Sequence, residues 1–554
     1  MAYRRKRTGS QYEECNISSF VESCINFKPN VTFHTTSEGP SLDGGDSTHS
    51  RTVLLLGQQS QLKDKEKVAQ FFPYYSDAVE RAVAVHATLS GSARSQVAEV
   101  RPDTNILIGA VPTVASRHNC ALRPDTITAI VRDAVTHARR KTESGIQGVL
   151  DIYCCEAENL LCVAVAIARG ANRNFSAKMG FAEKSYLDPG IPVRVVFAPN
   201  TKALSFTEAS RTFGGVERHA LDAAALTVQL CQRLVDASTN LLDTTTFTEI
   251  AAGWIAKLKE QGHNVSIDII SGEDLRENGY GGIYGVGKAA EFPPHLVTLS
   301  YNPKGGIAPQ EKIALVGKGI VYDTGGLSIK SGVNMCGMKR DMGGAATVFC
   351  GFLALVMVEA PQQLSTVLCL ADNAVGPRSQ RNDDIVRMRS GKTVEINNTD
   401  AEGRLVLGDG VYHASALLAF TPDIIVDMAT LTGAQGIATG KRHAALYANK
   451  KEIEDRIFEA GLKCGDLCFP LVYTPEFHAQ EFNSAVADLR NSVESRANAQ
   501  SSCAAYFVES HLDAKFNGAW AHIDMAAPVC QCDATGYGVG LLLQTFAPQI
   551  YGSK

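Results

Sequence analysis

Short apolar runs that alternate with helix-like stretches constrain this chain more than any other feature. TVLLLG, NILIGAVP, GVLDIYCCE and VRVVFAP, between Thr52 and Pro199, have the length and apolar content of buried strands. Ser76 to Leu89, Asp125 to Arg140 and Asn159 to Ala168, lying between them, read as helices. Such alternation calls for βαβ-type connections, hence a parallel or mixed sheet with helices on its faces. The spacing predicts one such domain over 51–205. Val216 to Asp236 has neither Gly nor Pro and reads as a long helix, so 206–237 is expected to be a linker region. Strand candidates then recur at Val265 to Ile270, His295 to Tyr301, Ile313 to Val321, Ser365 to Leu370 and Asp423 to Met428. The expected fold is two α/β domains, each a mixed sheet flanked by helices, joined by a long linker helix, with the larger domain at 238–554. Ligands in such sheets bind beyond the carboxyl ends of the strands.

Residues 1–50, with runs such as TTSEGPSLDGGDSTHS, read as a poorly ordered extension without chemistry. The 554 residues are 45% hydrophobic and 20% charged, the composition of a globular protein. A net charge of −5 argues against nucleic acid as the main partner. The fifteen cysteines have no framework spacing, as expected of reduced thiols in a cytoplasmic protein. MAYRRKRTGSQYEE leads into no apolar signal region, and no apolar run approaches the ~20 residues of a membrane span, so no membrane partner is expected.

GGIYGVGKAA (Gly281 to Ala290) has P-loop-like spacing, but Ala289 stands where a Mg²⁺-binding hydroxyl is needed, which favours a tight glycine turn. Cys530-Gln-Cys532 and Cys154-Cys155 lack the second ligand pair of a zinc site and read as buried thiols. Neither HExxH nor GxSxG occurs.

Two segments concentrate polar residues where strands would end: IALVGKGIVYDTGGLSIKSGVNMCGMKRDMGGAATV, with Lys318, Asp323, Lys330 and Asp341, and VEINNTDAEGRLVLGDG, with Asp400, Glu402 and Arg404. IALVG is expected to deliver Lys318 at a strand end, with Gly317, Gly319, Gly325 and Gly326 allowing sharp turns. Asp400, Glu402 and Arg404 at i, i+2 and i+4 would point one way from an extended segment before a helix starting near Leu405. Four converging carboxylates without His or Cys suit hard divalent ions. Two ions roughly 3.5 to 4 Å apart, bridged by carboxylates and a water, would make a hydroxide nucleophile near neutral pH. A solvated ion-pair cluster that caps a helix fits the same spacing equally well.

NTDAEGRL (Asn398 to Leu405) resembles the signature octapeptide of the leucine aminopeptidase, or cytosol aminopeptidase, family; GKGIVYDTGG and MKRDMGGAA resemble its other active-site blocks at matching intervals. GKTVEINNTDAEGRLVLGDGV, DMATLTGAQGIATGK and SAVADLRNSV are most similar to a divergent aminopeptidase-like branch of that family. The resemblance covers Arg233 to the C-terminus. It implies a two-metal aminopeptidase that releases an N-terminal, leucine-like residue from short peptides. By the same resemblance, Asp323 and Glu402 bridge two Zn or Mn ions, Asp400 completes the exchangeable site, and Lys318 with Asp341 the tighter one. Lys330 would steady the oxyanion, Arg404 would hold a bicarbonate as general base, and Met338, Thr430, Leu431 and Gly433 would contact substrate. The family also implies a homohexamer. A binding or regulatory member with dispensable peptidase activity is the alternative.

Overall fold

A computed structural model describes residues 17–34, 49–62, 95–101, 104–142, 147–154, 159–172, 175, 190–197, 212–213, 216–304, 309–495 and 497–552. The helix expected at Ser76 to Leu89 lies outside these residues.

The N-terminal sheet has six strands: β1 (Val31–His34), β2 (His49–Gln58), β3 (Ser95–Arg101), β4 (Thr104–Val111), β5 (Gln147–Cys154) and β6 (Val193–Phe197). Their order is β1-β6-β5-β2-β4-β3, all parallel except the β3–β4 pair. Helix Pro124–Thr142 packs on it, and Leu160–Gly170 packs against that helix.

Residues 17–34 correct the expectation of a poorly ordered N-terminal extension. Ile17–Ile25 is an amphipathic helix that buries Phe20 and Cys24, and VTFH alternates buried and exposed residues as the edge strand β1. The helix binds elsewhere too: Trp254 Nε1 donates to Cys24 O (3.1 Å), and the buried Arg233 guanidinium lies over the Phe20 ring (5.1 Å). The Ser-, Gly- and Asp-rich runs around this segment had masked its short apolar periodicity.

After the short hairpin β7 (Thr212–Phe213) and β8 (Val216–Glu217), helix Arg218–Asp236 packs between Leu160–Gly170 and Gly343–Met357 and buries fifteen of its nineteen residues. The expected linking helix is thus also a core element.

The second sheet has eight strands: β9 (Val265–Ser271), β10 (His295–Tyr301), β11 (Lys312–Asp323), β12 (Gln363–Asn373), β15 (Ile424–Ala429), β16 (Ala444–Ala448), β17 (Cys468–Pro470) and β19 (Ala519–Asp524). Between them in the chain, β13 (Ile385–Arg387), β14 (Thr393–Glu395) and β18 (Leu489–Arg490) form a small separate sheet. The large sheet runs β17-β16-β19-β15-β11-β12-β10-β9, with β19, β15, β11 and β12 a parallel centre. Side chains of β11 alternate between two cores, Ile313 and Leu315 facing one and Ala314 and Val316 the other, as a sheet covered on both faces requires. The strand at 519–524 was not expected because Trp520, His522 and Asp524 break its apolar pattern. All three are buried, and Asp427 binds both the Trp520 Nε1 (2.8 Å) and the His522 ring.

One described helical stretch, Gly332–Met357, is apolar and long enough to cross a membrane, and 89% of its most apolar window is buried inside the molecule. GGIYGVG corrects the expected glycine turn: Gly281–Gly287 is a short helix, packed so closely that a Cβ on Gly281 would lie 2.0 Å from Arg387 O. Among the thiols expected to be buried, Cys154 is, whereas Cys530 is half-buried and Cys532 exposed.

Candidate active site

The site sits at the carboxyl ends of β11 and β12, where the parallel centre of the large sheet opens. Lys318 is in the interior of β11 and Asp323 is its last residue, so the lysine is not at a strand end as expected. Five positions apart, the two would face opposite sides of a regular strand. Between Ile320 and Asp323 the pairing shifts: Ile320 pairs with Ala371 and Asp323 with Asn373, three steps on one strand against two on its neighbour. This bulge brings Asp323 round to the face of Lys318. Gly317 and Gly319 therefore serve close packing, not turning: a Cβ on Gly317 would be 2.6 Å from Ala345 Cα, and one on Gly319 2.9 Å from Cys369 O. The turn comes at Gly325 (φ +83) and Gly326 (φ +61), which return the chain so that Lys330 N donates to Thr324 O at 2.9 Å.

The second segment is not extended. Thr399 and Asp400 form a turn, Glu402 has helical backbone angles, and the helix begins at Gly403, placing Arg404 in its first turn. Asp400 and Glu402 still converge: one oxygen from each of Asp323, Asp400 and Glu402 lies within 4.8 Å of the others. Lys318 Nζ is 2.7 Å from Asp341 Oδ2 and 3.0 Å from Glu402 Oε1, and Lys330 Nζ is 2.7 Å from Asp323 Oδ2 and 2.5 Å from Asp400 Oδ1. The glycine of NTDAEGRL makes room for this, since a Cβ on Gly403 would lie 2.5 Å from Lys318 Cε.

Burial sets the electrostatics. It pushes the Glu402 carboxyl up to about 8, reinforced by Asp323, and Asp341 up to about 6; Asp400 is raised as well, against the pull of Lys330. Burial alone would lower both ammonium groups, but the surrounding carboxylates hold Lys318 and Lys330 above the ordinary lysine value. Carboxylates that stay raised even beside two lysine ammonium groups, with oxygen atoms in one small volume, are a donor set for hard divalent ions. Arg404 is buried beside them, its guanidinium lowered to about 10 by burial. It forms no ion pair among the described residues; Nε and Nη1 lack hydrogen-bond partners, and the group lies 5.9 Å from the Phe482 ring centroid. A buried cation with free donors suits a small oxyanion.

Of the residues expected at substrate, Thr430 turns inward: its hydroxyl donates to Asp341 Oδ1 (2.8 Å) and its carbonyl accepts from Lys318 (3.0 Å). Leu431 is half-buried and its N–H donates to Asp524 (3.1 Å), while Gly433 is exposed at the next helix's first residue. Met338 is half-buried in a 3₁₀ turn that ends at Asp341. That turn is tied down by Asp236, whose carboxylate accepts from Arg340 (3.0 Å) and from Ala534 N (2.8 Å).

Sequence reasoning missed Asn373, whose amide touches Asp323 and Glu402, and Asp524, which accepts from Leu431 N, Thr432 Oγ1 (2.6 Å) and Ser501 Oγ (3.0 Å). Each ends a strand of the parallel centre; for Asn373 the apolar run Val367 to Leu370 before it was the available signal, whereas the polar residues of the 519–524 strand left none for Asp524.

The fold and this site define a class. The description "Cytosol aminopeptidase family, catalytic domain" matches residues 229–543, and "M17 aminopeptidase N-terminal domain 2" matches 51–181. The chain belongs to the cytosol aminopeptidase family and is a metal-dependent aminopeptidase acting on peptides. It is 45% identical over 445 residues to "Probable aminopeptidase NPEPL1" of Homo sapiens, covering 79% of each chain. It is also similar to the leucyl aminopeptidase of Trypanosoma brucei solved with bestatin, at 45% identity and TM-score 0.87 over 98% of this chain and 100% of that one. The leucine aminopeptidase of Caenorhabditis elegans shares the fold at 31% identity and TM-score 0.78, over 94% of this chain and 98% of that one.

Proposed function

We propose that the protein is a two-metal aminopeptidase that removes an N-terminal leucine-like residue from short peptides. The convergence of Asp323, Asp400 and Glu402, with Lys318 and Asp341 alongside, carries this reading. Asp323 and Glu402 would serve both ions, Asp400 the exchangeable one, and Asp341 with Lys318 the tighter one; Lys318, protonated among the carboxylates of the ion-free site, would ligate only after giving up that proton. When bound, two Zn or Mn ions supply the Lewis acidity that makes water nucleophilic near neutral pH and polarises the scissile carbonyl.

The chain's own groups do the rest. Lys330, held above the ordinary lysine value by Asp323 and Glu402, keeps its proton and presents a fixed positive charge to the oxyanion that develops on the substrate. Arg404, with two unpartnered donors, would hold a bicarbonate that takes the proton from the attacking water. Met338, Thr430, Leu431 and Gly433 border the substrate, Thr430 through its backbone.

In this reading 51–205 is the N-terminal domain, 206–237 the linker region and 238–554 the catalytic domain. The protein acts in the cytoplasm as a homohexamer. The bestatin complex of the similar trypanosomal enzyme supports recognition of a leucine-like residue.

Elemental analysis of the purified protein, paired with leucine-amide hydrolysis before and after chelation, tests this. About two ions per chain and activity restored by Zn²⁺ or Mn²⁺ are expected. Full activity in D323A or E402A would overturn it.

A further inference from the structure

Asn373 is the last residue of β12 and is buried at 5% exposure. Its Nδ2 donates to Asp323 Oδ1 at 2.8 Å and to Thr399 O at 3.1 Å, and lies 3.5 Å from Glu402 Oε2. Its backbone carbonyl accepts from the Thr324 hydroxyl at 2.5 Å. One side chain at the end of β12 therefore ties together the end of β11 and the Thr399 turn, 50 and 26 residues away from it in the chain.

The chemistry of the contact is specific. Asp323 Oδ1 also accepts from Gly325 N at 2.9 Å, so two N–H donors converge on that oxygen, while Oδ2 faces Lys330. A carboxamide NH₂ has two protons and no charge. It satisfies Oδ1 and the Thr399 carbonyl at once, adds no like charge to the cluster, and introduces no cation to compete with a metal. A hydroxyl has one proton for the two acceptors; a carboxylate would repel Asp323 and Glu402.

We propose that Asn373 is a positioning residue for the metal centre. It locks the Asp323 carboxylate so that Oδ2 is the atom presented to the ions, and it holds the Thr399 turn that carries Glu402. The proposal rests on Asp323 and Glu402 being metal ligands.

The test uses the full-length protein with N373L, which keeps the shape without the donors, and N373A, with D323A as reference. Zinc affinity is measured by competition with a chromophoric chelator, and kcat and KM on leucine amide at saturating Zn²⁺. Loss of an outer hydrogen bond to a metal ligand typically costs 10–100-fold, so about tenfold weaker binding of at least one ion is expected in N373L, with kcat down about tenfold and KM within about threefold. Should N373L not fold, N373A carries the same readout. Native zinc affinity in a folded N373 variant, while D323A loses an ion, overturns the proposal. Retention of both ions by D323A overturns instead the ligand assignment beneath it.

Discussion

At the scale of single residues, the cluster works because charges are matched in a small volume. Lys330 reaches both Asp323 and Asp400, yet it lies apart from the Lys318 and Asp341 pairing. K330M is therefore expected to lower kcat by about 10²–10³ with little change in KM, read from steady-state kinetics on leucine amide. Gly403 allows a different separation of chemistry from folding. The atoms a Cβ would meet are the flexible end of Lys318, so G403A should fold with a near-native melting temperature but displace the amine from Asp341 and Glu402. A deficit of bound metal by elemental analysis is the expected outcome. Histidine sets an acid limit: burial lowers His413 to about 4, and it is paired with the Tyr280 hydroxyl at 2.8 Å. Between about 6.5 and about 4 the unfolded imidazole binds more protons than the folded one, so stability is complete above that window and falls as pH drops through it. Urea denaturation across pH should show this loss, and H413Q should reduce it, with the buried His295 and His511, lowered to about 4 and about 3, keeping the remainder.

Among elements, β11 decides the site. Its bulge places Lys318 and Asp323 on one face, and its glycines admit helix Gly343–Met357 close behind. G317A should cost about 1–3 kcal/mol of stability by urea denaturation, because the added methyl meets the Ala345 backbone, which cannot swing aside. Neither device shows in a strand-by-strand reading of apolar residues. A strand was legible over Ile313 to Val321, short of Asp323; its extension to Asp323 and the face each polar side chain takes depended on pairing with β12.

For the whole molecule, the N-terminal domain is fastened to the catalytic domain by a buried ion pair. Arg169, on helix Leu160–Gly170, reaches Asp466 Oδ1 at 2.5 Å and Thr535 O at 2.8 Å, and Asp466 is fully buried. R169A removes the charged partner of that carboxylate, leaving it the N–H donors of Gly538 and Leu541, and should cost about 3–5 kcal/mol, seen as a lower thermal midpoint. The partition between sequence and structure follows the range of the interactions. Strand and helix alternation, the long helix before Asp236 and the residue types of the site depend on neighbours in the chain, so the sequence by itself determined them, along with family membership through NTDAEGRL. Contacts across many residues were decided only in three dimensions: the bulge that turns Asp323, the helical start at Gly403, the burial of residues 17–34 against the linker helix, and the roles open to Asn373 and Asp524. Each of these depends on a partner at least 26 residues away, and local periodicity carries no information about such a partner.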